Sequence, residues 1–139
     1  MTNQEVYNQI VVNMINQGGF SMEAQFCAYR TSKGRKCAAG IFIPDEKYSP
    51  RMEMSKIKNC FTGELQEIFK EIFEGIDIDF LYEMQENHDD STHSSDFNFF
   101  NEWIPKMIVT GENHNLDLSV FQEYRNHCLV GGIITRTLT

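Results

Sequence analysis

Two cysteines, Cys27 and Cys37, fall within one predicted β-hairpin, and two histidines, His88 and His93, fall in a later polar segment. Thiolate and imidazole are donors that a structural zinc ion accepts, so Cys27 and Cys37 with His88 or His93 form one candidate metal set. The spacing argues against it. Nine residues lie between the two cysteines, whereas paired zinc ligands are normally two to four positions apart. Cysteine is also among the most buried residue types as a plain apolar side chain. The expectation is therefore two buried, reduced thiols with no metal and no cofactor. A catalytic thiol needs an oriented base in an electropositive setting. Arg30, Arg35 and Lys36 supply the charge, but the sequence names no base. The run His88-Asp89-Asp90-Ser91-Thr92-His93 resembles a metal cluster, yet a His-Asp hydrolase needs a histidine upstream, and none precedes His88. A solvated loop at a helix end accounts for the same residues, with the imidazole favoured near the helix C-terminus by the dipole. No GxxxxGK[ST] phosphate loop and no GxSxG elbow occurs. No catalytic residue is assigned, and an enzyme is the less favoured expectation.

Two charged groups are candidate binding surfaces. Arg30, Lys33, Arg35 and Lys36 crowd the hairpin tip beside Tyr29. Guanidinium groups with an aromatic face can hold a phosphate or a nucleotide base, so these five residues form a candidate site for a small anionic ligand. Exposed lysines that protect a strand edge are the plainer reading. Glu64, Glu67, Glu71 and Glu74 recur on one side of a predicted helix, and Asp77, Asp79, Glu83 and Glu86 extend the negative surface. Such a face can imitate nucleic-acid phosphates and fill a basic groove on a protein partner. The plainer reading is a solvated helix face.

Charge follows the same division. The net charge is −8 over 139 residues. Residues 1–63 carry +3, residues 64–96 carry −10 and residues 97–139 carry −1. Overall acidity argues against direct nucleic-acid binding, which needs a basic surface. A chain of this length forms one domain, residues 1–139, able to bury about 70% of its unfolded surface without disulfides. Apolar content of 41% argues against disorder. No apolar run is long enough for a membrane span, and no signal peptide is evident. A cytoplasmic setting is expected, with Cys27, Cys37, Cys60 and Cys128 reduced.

The elements that must position these groups read as α+β: an N-terminal helix, a central antiparallel hairpin or small sheet, and several packed helices. Thr2 and Glu5 fit a capping box. Tyr7, Ile10, Val11, Met14 and Ile15 share a helical face, and Gly18-Gly19 ends that helix. Gln25–Thr31 and Arg35–Ile43 read as strands joined through Ser32-Lys33-Gly34. That register sets Thr31 opposite Arg35, Tyr29 opposite Cys37 and Cys27 opposite Ala39. Leu65, Ile68, Phe69, Ile72 and Phe73 form an inward stripe, with Thr62 as N-cap and Gly75 as stop. Asp77 or Asp79 caps a helix with Phe80, Leu81 and Met84 inside. Asp96 caps another with Phe99, Phe100, Trp103 and Met107 inside, in which Pro105 should introduce a kink or begin a separate turn. A loop is expected over Gly111–Asn115, then a helix from Asp117 to about His127. Residues 129–139 read equally as a late strand or a loose tail.

Cys27-Ala28-Tyr29-Arg30, then Gly34 through Lys36-Cys37-Ala38-Ala39-Gly40, then Ile43-Pro44-Asp45-Glu46-Lys47-Tyr48 with Pro50 and Met52-Glu53, resembles a family of small uncharacterised proteins of tailed phages and prophages. Phe80 through Met84-Gln85-Glu86-Asn87-His88-Asp89 is similar to that family's Leu-Gln-x-x-His-Asp stretch, with Met84 in the leucine position. The resemblance implies a viral origin and a cytosolic setting in an infected bacterium; it transfers no catalytic residue. The function expected is stoichiometric binding of a host component, such as inhibition of a defence system. The alternatives are sequestration of a small anionic ligand, such as a signalling nucleotide, and a small zinc- or cysteine-dependent protein. Candidate partners are a host protein, a small anion and a second copy of the chain.

Overall fold

The computed structural model describes residues 1–23, 26–54, 63–92, 95–122, 127–130 and 133–136. Helices dominate: α1 (Asn3–Gln17), α2 (Gln66–Ile72), α3 (Ile78–Asp89), α4 (Asp96–Asn113) and α5 (Ser119–Gln122). Strands are brief. β1 (Met22–Glu23) pairs antiparallel with β2 (Phe26–Cys27), and β3 (His127–Val130) with β4 (Ile133–Arg136). The expected α+β class with a central antiparallel hairpin or small sheet is therefore wrong, and the fold is mostly helical.

The departure from a sheet is local and has a physical cause. The tip is set as the sequence suggests: Arg30 bridges Lys36, and the Thr31 amide donates to the Arg35 carbonyl at 2.9 Å. The ladder stops there. Cys27 pairs with Met22 rather than Ala39. Residues Gly40–Phe42 close into a 3-10 turn in which the Ile43 amide donates to Gly40. A Cβ on Gly40 would lie 1.9 Å from the Tyr29 carbonyl oxygen, so glycine lets the two backbones press together. Alternating small and apolar residues suit a buried turn as well as a buried strand.

The N-terminal helix forms as its residues dictate. The Thr2 hydroxyl accepts from Glu5 N–H in a capping box, Gly18 closes the helix at φ 86°, and Val6, Tyr7, Ile10, Val11, Met14 and Ile15 are buried. Asp77 caps α3 by accepting from the Phe80 amide. Ser95, rather than Asp96, caps α4 by accepting from Asn98. That helix runs unbroken through Pro105, which is exposed, and on to Asn113. Gly111 thus lies in the helix, not a loop. A Cβ there would lie 2.8 Å from the Tyr7 hydroxyl, which donates to the Met107 carbonyl at 2.6 Å. Asp77, Gly75 and α2 appear where expected, but the cap expected at Thr62 lies outside the described residues, and Leu65 provides no side-chain cap.

The core joins the inner faces of α1, α3 and α4 to Phe69 and Phe73 of the α2 region. Trp103 stacks on Phe99 at 5.6 Å and meets Phe100 edge-on. Ile68, expected inside, is 38% exposed. Among the described residues, no helix is long and apolar enough to cross a membrane.

Candidate functional site

Cys27, His88 and Asp89 place one ligand atom each within 4.8 Å of one another. Cys27 leaves β2 and the other two end α3. This is the nearest approach to the expected metal set, without Cys37. His93 lies outside the described residues. The imidazole decides what the cluster can do. Its Nε2 accepts the Ser21 backbone N–H at 2.9 Å. A backbone amide can only donate, so Nε2 carries no proton and the ring proton sits on Nδ1. Nδ1–H then donates to Asp89 Oδ1 at 2.9 Å. Neither nitrogen has a lone pair free for a metal or for deprotonating a thiol. Freeing Nδ1 would move the proton to Nε2, against the Ser21 amide.

The thiol is correspondingly inert. Burial, then the charge of Asp89 and a hydrogen bond to it, push Cys27 up to about 12. Burial also drives the fully enclosed Cys37 thiol upward, only partly offset by the Gly40 amide that donates to its sulfur. A nucleophilic or zinc-binding cysteine needs the opposite shift. Gln85 completes the arrangement: its carbonyl accepts from the Ala39 amide at 2.9 Å and its NH2 donates to Asp89 at 2.8 Å. The Gln-x-x-His-Asp segment therefore pins α3 to Ser21, Cys27 and Ala39. It is a polar staple between α3 and the segment from Ser21 to Ala39, not the solvated loop that the sequence suggests for His88.

The basic tip is also tied inward. Arg35 forms a bidentate pair with Asp96 at 2.8 and 3.0 Å and donates to the Phe20 carbonyl. A Cβ on Gly19 would lie 1.9 Å from Asp96 Oδ1, so that glycine makes room for the pair. Arg30 instead reaches Asp45 at 2.8 Å and the Ile43 carbonyl at 3.1 Å, and lies 4.5 Å above the Tyr48 ring. Tyr29 is 7% exposed and packs toward Phe69. The expected ligand site, with Arg30 and Arg35 on phosphates and Tyr29 under a base, is not assembled: the two guanidinium groups serve different carboxylates and Tyr29 faces the core. Lys36 approaches Asp45 at 4.0 Å. Lys33 is exposed at the turn.

Beneath Arg30, Glu53 accepts from the Tyr29 amide at 2.9 Å, the Arg30 amide at 3.1 Å and the Tyr48 hydroxyl at 2.6 Å. Burial, and secondly this carboxylate, push Tyr48 up to about 12. Ser21, Asp45, Glu53 and Gln85 are the organising residues that the sequence reading did not single out. Their signal was present for three of them: Asp45 and Glu53 belong to the Ile43–Glu53 motif, and Gln85 stands three positions before His88.

The acidic face is the one candidate surface that stays open to solvent. Glu64, Glu67, Glu71 and Glu74 are all exposed. Glu64 pairs with Arg51, Glu71 with Lys47 and Glu67 with Lys70 at 3.9 Å. Glu74 and Asp79 have no ion-pair partner among the described residues. Ile68 emerges beside Glu64 and Glu71, one turn away on either side, with the half-buried Leu65 and Ile72 on its other flank. Of the acids further along, Glu83 pairs with His114 at 2.8 Å. No family model, curated protein or solved structure matches the chain.

Proposed function

We propose that this protein acts by stoichiometric binding, docking the exposed side of α2 onto a basic surface of a protein partner. The observation that carries the proposal is Ile68, a 38% exposed isoleucine flanked one turn away by the exposed carboxylates Glu64 and Glu71. An apolar anchor inside a charged rim is the usual energetic layout of a protein interface. Exposed ion pairs contribute about 0–1 kcal/mol each, so Glu64, Glu67 and Glu71 can exchange Arg51, Lys70 and Lys47 for a partner's cations at little cost. Glu74 and Asp79 add charge that attracts such a partner from a distance. Binding is favoured over catalysis because the nearest thing to a reactive cluster, Cys27 with His88 and Asp89, holds a protonated thiol and an imidazole with both nitrogens committed. With the resemblance to phage proteins, the partner is a component of an infected bacterium, and inhibition of a defence protein fits such a mode.

The test compares wild type with Ile68→Ala and with the triple reversal Glu67→Lys, Glu71→Lys, Glu74→Lys in pulldowns from host lysate, followed by calorimetry on the captured protein. A partner held at low salt, released by salt and lost in both variants while circular dichroism stays unchanged is the expected result. A partner held equally by all three proteins refutes the assignment of this face.

A further inference from the structure

Arg30 and Lys36 are directly paired across the hairpin tip, so their side chains leave the same face. Both end near a single atom, Asp45 Oδ1, at 2.8 Å from Arg30 and 4.0 Å from Lys36. The cations and the anion are held very differently. The Arg30 side chain is 18% exposed, fixed by the Ile43 carbonyl, by the Tyr48 ring beneath it and by a backbone that Glu53 grips. The Asp45 side chain is 83% exposed, lies in a turn after Pro44 and has no contact beyond these two ion pairs among the described residues. A carboxylate so exposed adds little to stability. The cationic half is preorganised and the anionic half is loose.

We propose that Asp45 is a displaceable internal substitute for an external anion, and that Arg30 and Lys36 form a clamp for a phosphate group of a small ligand. A phosphate carries more charge than the carboxylate and offers three oxygens to a guanidinium fork and an ammonium together. The ligand enters as Asp45 swings outward into solvent, leaving Arg30 in place. The proposal is independent of the acidic face and differs from a site built on Arg30, Arg35 and Tyr29, since Arg35 stays with Asp96 throughout.

The full chain, wild type and Asp45→Ala, is titrated with inorganic pyrophosphate by calorimetry at low ionic strength. Removing the competing carboxylate is expected to tighten binding about tenfold, the scale of one charge-assisted hydrogen bond released to the ligand. The gain should vanish in Asp45→Ala/Lys36→Ala and shrink as salt rises. Adenosine diphosphate as a second probe separates sources: equal affinity assigns recognition to the phosphates, and tighter binding adds a contact to the nucleoside. Binding by Asp45→Ala no tighter than wild type, or a gain that survives loss of Lys36, overturns the proposal. So does unfolding of both Asp45→Ala and Asp45→Asn, which would make Asp45 a structural lock.

Discussion

Replacing His88 by phenylalanine separates the polar role of this side chain from its bulk. The imidazole is fully buried and meets Phe99 edge-on at 5.6 Å, so a phenyl ring keeps most of the apolar contact. Two hydrogen bonds are lost, and they are unequal. Ser21 is itself 0% exposed, and its amide loses the acceptor it has in His88 Nε2. A buried donor left unsatisfied costs about 1–3 kcal/mol. Asp89 keeps the Gln85 NH2 and is 41% exposed at its side chain, so water replaces the Nδ1–H donor at a cost of roughly 0.5 kcal/mol. The sum is about 1.5–3.5 kcal/mol, and the slightly larger ring adds in the same direction. Glutamine can turn an oxygen toward Ser21 and should cost only about 1 kcal/mol. Alanine adds a cavity and should cost about 3–5 kcal/mol. The order Gln, Phe, Ala in urea unfolding is the prediction, followed by the fluorescence of Trp103, the single tryptophan, which stacks on Phe99 beside His88. A phenylalanine variant within about 0.5 kcal/mol of wild type, or one more stable than glutamine, refutes the reasoning. So does a nitrogen-15 spectrum placing the ring proton on Nε2.

Gly40→Ala should cost about 2–3 kcal/mol or more in chemical denaturation, since the new Cβ meets the Tyr29 carbonyl, a backbone atom that cannot turn aside; a cost below about 1 kcal/mol would show that the hairpin and the 3-10 turn can separate freely. Alkaline pH should destabilise the protein. Burial raises Cys27 from 9.0 to about 12, and Tyr7 and Tyr48 from 10.0 to about 12. Below about 9 both folded and unfolded chains keep these protons, and stability from them is complete; above it the unfolded chain ionises first, so stability falls up to about 12. Melting temperatures that stay flat between pH 7 and 8.5 and decline from there to pH 11 are expected, and a rise over the second interval would contradict the raised values.

What the sequence revealed and what it hid divide along a physical line. Local rules were sufficient for α1, where a capping box, an apolar stripe and a terminal glycine all act within a few residues. They were sufficient for the Asp77 cap and for the inward faces of α3 and α4. They failed where a distant contact decides. Ile68 obeys the helical spacing of a core residue, yet α2 turns about Phe69 and Phe73 and leaves it outside. Gly111 carries the signature of a helix end, yet its missing side chain admits Tyr7 and Leu118, and the helix continues. The candidate site shows the same divide. The type and proximity of Cys27, His88 and Asp89 suggested a metal, but the tautomer of His88 is set by an amide 67 positions away in the chain, and no spacing rule carries that information.

The segments Cys27–Glu53 and Phe80–Asp89 have one explanation when taken together. In the first, Arg30, Asp45, Tyr48 and Glu53 bind one another. In the second, Gln85 and His88 reach across to Ala39 and Ser21, and Asp89 gathers their donors. Each of these polar groups is met by another part of the same scaffold. Residues spent on holding the hairpin to α3 are poor carriers of partner choice, because changing them first changes the fold. The open side of α2, with Ile68 beside its carboxylates, lies between the two motifs in sequence and meets the first through the exposed pairs Glu71–Lys47 and Glu64–Arg51. A protein with the same two motifs and a different α2 surface should therefore keep this shape and bind a different partner, and exchanging Glu64, Glu67, Ile68, Glu71 and Glu74 should move the specificity with them.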